Sequence, residues 1–114
     1  MPHFVIDCSE NVIRIKSADD IMQEVYNSAL STGLFPASEI KVRINPFAYY
    51  NNGNSLEDFI HVFAYIMEGR NTDQKANLSK TIVSKLNAII PEVPVISINI
   101  SDFEKASYFN KNML

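Results

Sequence analysis

The chain has 114 residues, a formal net charge of -3 at pH 7 and 46% hydrophobic residues. This length supports one domain, residues 1–114, with a single core. The acidic balance and the lack of any basic run argue against a nucleic-acid surface, and one cysteine with two histidines leaves no disulfide framework or zinc site. No signal-peptide pattern and no apolar run of ~18 residues is present. We therefore expect a cytoplasmic protein without a membrane partner.

The first predicted element is a strand at the very start of the chain. Residues 1–8 alternate between two faces with a period of two, and Cys8 reads as a small apolar filler at the end. Pro2 fits a strand start because a proline lacks the amide donor. If Met1 is removed, Pro2 becomes a secondary amine held by a sheet, and burial or nearby cations favour its neutral, basic form. Pro2 is therefore a candidate general base.

A helix is predicted next, after a polar turn at residues 11–16 with a short apolar insert. Ser17 is the expected N-cap, and Asp20 lies three residues later at the positive end of the helix dipole. Apolar residues then recur at helical spacing as far as Thr32, and Gly33 follows as a C-cap.

A second strand is predicted to begin at Glu39, with Lys41 and Arg43 on its polar face. Residues 51–54 contain an Asn-Gly pair that suits the positive φ of a tight turn. The second strand and a third one, about residues 58–67, are therefore predicted to form a hairpin.

The third strand is apolar on both faces, including the side that carries His61. Such a strand needs cover on both sides, and a chain with only two helices is most economically covered by another subunit. His61 itself is interpreted as a satisfied core residue and not as a catalyst.

A second helix is predicted to start at Thr72 and to end before Pro91, followed by a final strand from Val95 to Ile100. Residues 102–114 are expected to form a docking arm or a short extra strand. The fold class is therefore α+β, with the order β-α-β-β-α-β. Right-handed crossovers would place both helices on one face of a single sheet.

Three cations are candidate ligands for a carboxylate substrate. Lys41 and Arg43 share one strand face, and Arg70 precedes a helix N-terminus, which favours anions. The same positions also fit plain structural roles, because alternating cations on a strand are often a solvated face and Arg70 could merely link a loop.

Several motifs are similar to the 5-carboxymethyl-2-hydroxymuconate delta-isomerase family of the tautomerase superfamily. The similarity extends over nearly the whole chain, and its motifs are Met1-Pro2-His3-Phe4, Thr32-Gly33-Leu34-Phe35-Pro36, Ile40-Lys41-Val42-Arg43, Phe59-Ile60-His61-Val62, Gly69-Arg70 and Tyr108-Phe109-Asn110-Lys111-Asn112. The resemblance implies a homotrimeric isomerase of aromatic catabolism that needs no metal or cofactor. Pro2 would be its acid and base, and Arg43 and Arg70 its cationic binders.

The chain departs from that family pattern in two places. Lys41 stands where the family often has arginine, which keeps the charge but loses the bidentate fork. The segment 46–57 is also shorter than the pattern. The expected reaction is keto-enol isomerisation of an unsaturated 2-hydroxy or 2-oxo di- or tricarboxylic acid. The alternatives are a phenylpyruvate-type tautomerase and a non-catalytic oligomeric domain that binds an anionic metabolite.

Overall fold

The computed structural model describes residues 1–114 and contains one mixed four-stranded sheet. The strands are β1 (His3–Ser9), β2 (Lys41–Phe47), β3 (Phe59–Met67) and β4 (Val95–Phe103). Their spatial order is β2-β1-β3-β4, with β1 parallel to β2, β3 parallel to β4 and β1 antiparallel to β3. The helices are α1 (Val12–Ile15), α2 (Ala18–Ser31) and α3 (Thr72–Ile89). The predicted α+β class and order of the long elements are confirmed.

One face of the sheet is covered by α2 and α3, which also contact each other. Alternate residues of the two central strands point into this core and are fully buried, namely Phe4, Ile6, Cys8, Ile60, Val62, Ala64 and Ile66. The helices contribute residues at helical spacing, among them Ile21, Val25, Leu78, Ile82 and Leu86. The predicted packing of both helices on one face is therefore confirmed.

The other face has no helix over it within this chain. Strand register places one row of side chains from all four strands on this open face: His3, Val5 and Asp7, Lys41, Arg43 and Asn45, His61, Phe63 and Tyr65, and Ser97, Asn99 and Ser101. None of them is buried. The row combines aromatic rings, cations and small polar groups.

The predicted hairpin of the second and third strands is wrong. A tight turn does form, since Asn52 and Ser55 exchange two backbone hydrogen bonds and Gly53 and Asn54 have φ of 62° and 64°. However, β1 lies between β2 and β3, so residues 48–58 cross the end of β1 instead of joining two neighbours. The crossing segment is fixed by the buried Ser9 hydroxyl, which donates to the Asp58 carboxylate at 2.8 Å.

Four smaller boundaries also differ from the predictions. Residues Ala37–Glu39 form a 3-10 helix, so β2 begins at Lys41 and not at Glu39. Residues 12–15 form the short helix α1 instead of a polar turn, because it buries Val12 completely in the core. β4 continues past Ile100 to Phe103 along its parallel partner β3. The tail forms 3-10 turns at Lys105–Ser107 and Lys111–Met113, so the alternative of a separate extra strand is wrong.

Both long helices begin with the predicted kind of cap. The Asp20 amide donates to the Ser17 hydroxyl at 3.1 Å, and Gly33 follows α2 with a φ of 73°. At α3, Asn71 and Gln74 form a reciprocal capping box.

Candidate active site at the amino-terminal end of the sheet

Pro2 is buried at the start of β1. Its carbonyl oxygen accepts a hydrogen bond from the Lys41 amide at 3.1 Å, which holds the start of β2 against it. Met1 is attached to Pro2, and its amino group lies 4.0 Å from the Glu39 carboxylate. The Pro2 nitrogen is therefore an amide in this form of the chain, and only removal of Met1 would make it a base.

The side chain of Lys41 reaches the residue that precedes Pro2. Its Nζ atom lies 3.7 Å from the Met1 sulfur, and no carboxylate pairs with it. The ammonium is thus next to the amino-terminal end of β1, with its charge unneutralised. Loss of Met1 would leave it facing the space that the thioether now occupies.

Arg43 lies two residues further along the same face of β2 and contacts His3. The distance between Arg43 Nη1 and His3 Nδ1 is 3.1 Å. Burial lowers the pKa of His3, and the charges of Arg43, Lys41 and the chain amino terminus lower it further. The imidazole therefore stays neutral beside these cations near neutral pH.

Arg70 lies past the end of β3, on the other side of β1 from the two β2 cations. Its guanidinium donates to the Leu34 carbonyl at 2.8 Å and to the Met67 carbonyl at 3.2 Å, and its carbon stands 5.0 Å from the Phe35 ring centre. Phe35 in turn packs edge-on against Phe4 of β1. Arg70 thus ties the loop after α2 to the end of β3, near the start of β1.

The helix N-terminus beside Arg70 is a weaker anion-binding site than the sequence predicted. The capping box already uses the Asn71 and Gln74 amides, at 2.9 and 2.8 Å. Asp73 adds a negative charge in the first turn of α3. The guanidinium of Arg70 is therefore the main attraction for an anion at this position.

His61 is satisfied, as predicted, but it lies on the open face and not in the core. Its Nδ1 is 2.6 Å from the Ser97 hydroxyl and its Nε2 is 2.6 Å from the Asn99 side-chain oxygen. The ring also packs edge-on against Phe63. Both nitrogens are therefore occupied within the chain.

Two residues near Pro2 were missed at the level of sequence. His3 is the hydrogen-bond partner of Arg43, and Glu39 lies close to the chain amino terminus. The alternation of β1 already put His3 on the face opposite to Phe4, but only the pairing of β1 with β2 brings it to Arg43. Local pattern carries no signal for that pairing.

The larger of two surface grooves has a volume of about 380 Å³ and lies between α2 and the edge strand β2. It is lined by Asp19, Met22, Gln23, Tyr26, Ile40 and Val42, none of which is a predicted site residue. The single chain has no comparable cavity at Pro2. It also has no cluster of three or more His, Cys, Asp or Glu side chains suited to a metal ion, and no helix long and apolar enough to cross a membrane.

Comparison with solved structures shows the fold. The structure of a 5-carboxymethyl-2-hydroxymuconate isomerase from Deinococcus radiodurans R1 superposes with a TM-score of 0.83 at 21% identity, covering 96% of this chain and 88% of that one. A wild-type fused 4-OT asymmetric trimer gives a TM-score of 0.79 at 14% identity, covering 96% and 92%. The chain therefore has the fold of the tautomerase superfamily.

Comparison of sequences shows the family. A 5-carboxymethyl-2-hydroxymuconate Delta-isomerase of Escherichia coli is 25% identical over 77 residues, which is 66% of this chain and 61% of that relative. The family model described as 5-carboxymethyl-2-hydroxymuconate isomerase matches residues 2–114, a match that begins at Pro2. The chain belongs to the 5-carboxymethyl-2-hydroxymuconate isomerase family, a family of isomerases.

Proposed function

We propose that this protein is a cofactor-independent keto-enol tautomerase whose catalytic group is the amino-terminal amine of Pro2, exposed when Met1 is removed. Its substrate would be an unsaturated 2-hydroxy or 2-oxo di- or tricarboxylic acid such as 5-carboxymethyl-2-hydroxymuconate. The observation that carries the proposal is the family match from Pro2 onward, supported by the burial of Pro2 and by the hydrogen bond from the Lys41 amide to its carbonyl oxygen.

In this mechanism the neutral Pro2 amine accepts a proton from the enol form of the substrate. The resulting ammonium returns a proton to a carbon of the same molecule, so that the product is the keto isomer and the amine is regenerated. No electron leaves the substrate, and no co-reactant is consumed. Lys41, Arg43 and Arg70 would bind the carboxylates and stabilise negative charge that develops on oxygen.

Arg70 is able to combine its structural contacts with substrate binding. A guanidinium has five N–H donors. The carbonyls of Leu34 and Met67 each take one hydrogen bond from it, at 2.8 and 3.2 Å. The remaining donors are left for a carboxylate, and the two carbonyl contacts would hold the fork in one orientation.

We further propose that the active form is a homotrimer. The open face carries Phe63 and Tyr65, and Tyr65 is 42% exposed in the single chain. A protein of similar fold is an asymmetric trimer. The absence of a cavity at Pro2 within one chain supports a site that a neighbouring subunit completes.

A non-catalytic role as an anion-binding oligomer is the second candidate. It is favoured by one observation, the lack of any carboxylate partner for Lys41 and Arg43, whose charges would attract an anion whether or not Pro2 has a free amine. The two candidates differ in whether Met1 persists in the mature protein, which intact mass spectrometry measures directly.

The test of catalysis is the Pro2→Ala variant, assayed for ketonisation of 2-hydroxymuconate and of phenylenolpyruvate. Loss of a positioned acid-base group should lower kcat/KM by about 10²–10⁴-fold. Wild-type chain that retains Met1, prepared with a methionine aminopeptidase inhibitor, should be inactive until the aminopeptidase is added. Unchanged turnover in Pro2→Ala would remove Pro2 from the mechanism. A preference for phenylenolpyruvate, which has one carboxylate, would favour the phenylpyruvate-type alternative.

A further inference from the structure

The contact between His3 and Arg43 fixes the protonation state of the imidazole. The two nitrogens are 3.1 Å apart, and a guanidinium has five donors and no acceptor. His3 Nδ1 must therefore accept the hydrogen bond, which places the ring proton on Nε2. The contact exists only while the imidazole is neutral.

The charge of Arg43 is not neutralised by any neighbouring side chain. Arg43 makes no ion pair in the chain, and His3 is the hydrogen-bond partner of its guanidinium. A carboxylate in the place of His3 would orient the guanidinium but also neutralise it. A neutral imidazole orients it and leaves its full charge available for a substrate anion.

We propose that neutral His3 positions Arg43 for carboxylate binding, and that protonation of His3 releases Arg43 and weakens substrate binding. The inference rests on the proposed function, because it assumes a carboxylate substrate. His3 is a positioning residue in this scheme, since it acts on the substrate through Arg43.

The surroundings of His3 oppose its protonation. Lys41 and Arg43 face it from β2, and the Tyr65 phenol is its register partner on β3. The amino group of Met1 adds a further positive charge only while Met1 is present. Of the nearby acids, Asp7 lies further along the same face and accepts from Asn45 at 3.4 Å, and Glu39 lies 4.0 Å from the Met1 amino group, a partner that it loses when Met1 is removed.

The direction of the pH effect follows from these charges. The pKa of His3 lies below its ordinary value, so the imidazole is neutral at pH 7 and gains its proton only in mildly acidic solution. Substrate carboxylates stay ionised down to about pH 4. KM should therefore rise as the pH falls through the lowered pKa of His3, while the substrate keeps its charge.

Two substitutions separate the hydrogen bond from the titration. His3→Asn keeps an oxygen acceptor at the δ position and cannot titrate, whereas His3→Phe keeps a ring and has no acceptor. At pH 7.5 we expect His3→Phe to raise KM by about 3–10-fold with little change in kcat, as for loss of one ordinary, solvent-exposed hydrogen bond. His3→Asn should recover most of that loss and should lack the acid-side rise in KM. In an Arg43→Ala background, His3→Phe should have no further effect on KM.

Two measurements keep the inference independent of turnover. Nitrogen-15 NMR of labelled histidine should show His3 with its proton on Nε2, with His61 as the second signal. Calorimetric binding of adipate, an unreactive dicarboxylate, should weaken in His3→Phe by the same factor as KM. A proton on Nδ1, or adipate binding and pH profiles equal in His3→Phe and wild type, would overturn the positioning role. The expected tautomer and adipate effect without any isomerase turnover would instead count against the proposed function.

Discussion

The two faces of the sheet use the same four strands for different purposes. On the covered face, the residues of the central strands β1 and β3 that meet the helices, such as Phe4 and Ile66, are fully buried and apolar. On the open face, their immediate neighbours in sequence are cations, aromatic rings and hydrogen-bonded polar groups, of which none is buried. The difference shows that one alternating pattern builds the core with every second residue and leaves the others for recognition.

The pKa values of two titratable groups, one on each face, are shifted in opposite directions. Burial, with smaller contributions from Asp7 and Asp58, raises the pKa of the Cys8 thiol to about 11 on the covered side. Burial and nearby cations lower the pKa of His3 on the open side. Both shifts favour the neutral form, because burial disfavours charge in an acid and in a base alike. The covered face thereby gains an inert thiol, and the open face gains a neutral acceptor next to cations.

The largest effect on stability is expected from a cavity on the covered side. Leu86 is fully buried in α3, and Leu86→Ala should lower the free energy of unfolding by about 2–5 kcal/mol in urea titrations. Lys85→Ala, on the exposed side of the same helix, is the matched control and should change it by less than about 0.5 kcal/mol. Equal effects of the two would show that α3 does not pack as described.

A negative charge introduced on the open face should weaken subunit association without unfolding the chain. Phe63→Asp places a carboxylate between His61 and Tyr65, and burial of that charge against another subunit is costly. We expect association at least a hundredfold weaker, or about 2.7 kcal/mol, in sedimentation velocity, with an unchanged circular dichroism spectrum. Ser84→Asp on the exposed side of α3 is the control. A monomeric wild type would contradict the proposed trimer.

The smallest expected effect is a loss of folding stability at alkaline pH that depends on Cys8. An unfolded thiol ionises near pH 8.5, whereas the pKa of folded Cys8 is about 11. Cys8 stays protonated to a higher pH in the folded chain than in the unfolded chain. Its contribution to stability is therefore complete below about pH 8.5 and is lost as the pH rises towards 11. We expect a loss on the order of 1–2 kcal/mol at pH 9.5 that Cys8→Ser lacks. Identical pH slopes in the two proteins would contradict the described burial.

The sequence was informative where local physics determines the outcome. Alternation identified the two faces of β1, and the caps at Ser17 and Gly33 located the ends of α2. The turn at residues 51–54 was also correct as a turn. The hairpin failed because turn chemistry fixes only a local reversal, whereas strand neighbours depend on which pairing buries the most apolar surface.

The sequence by itself determined the α+β class, the covered face, and the candidates Pro2, Lys41, Arg43 and Arg70, because burial periodicity and charge are local properties of the chain. Only the tertiary structure decided that β1 is a central strand, that Arg43 meets His3, and that Arg70 ties the Leu34 and Met67 carbonyls together. The contacts of Arg43 with His3 and of Arg70 with Leu34 join residues 40 and 36 positions apart. Such contacts depend on strand order and register, which no local pattern in the chain specifies.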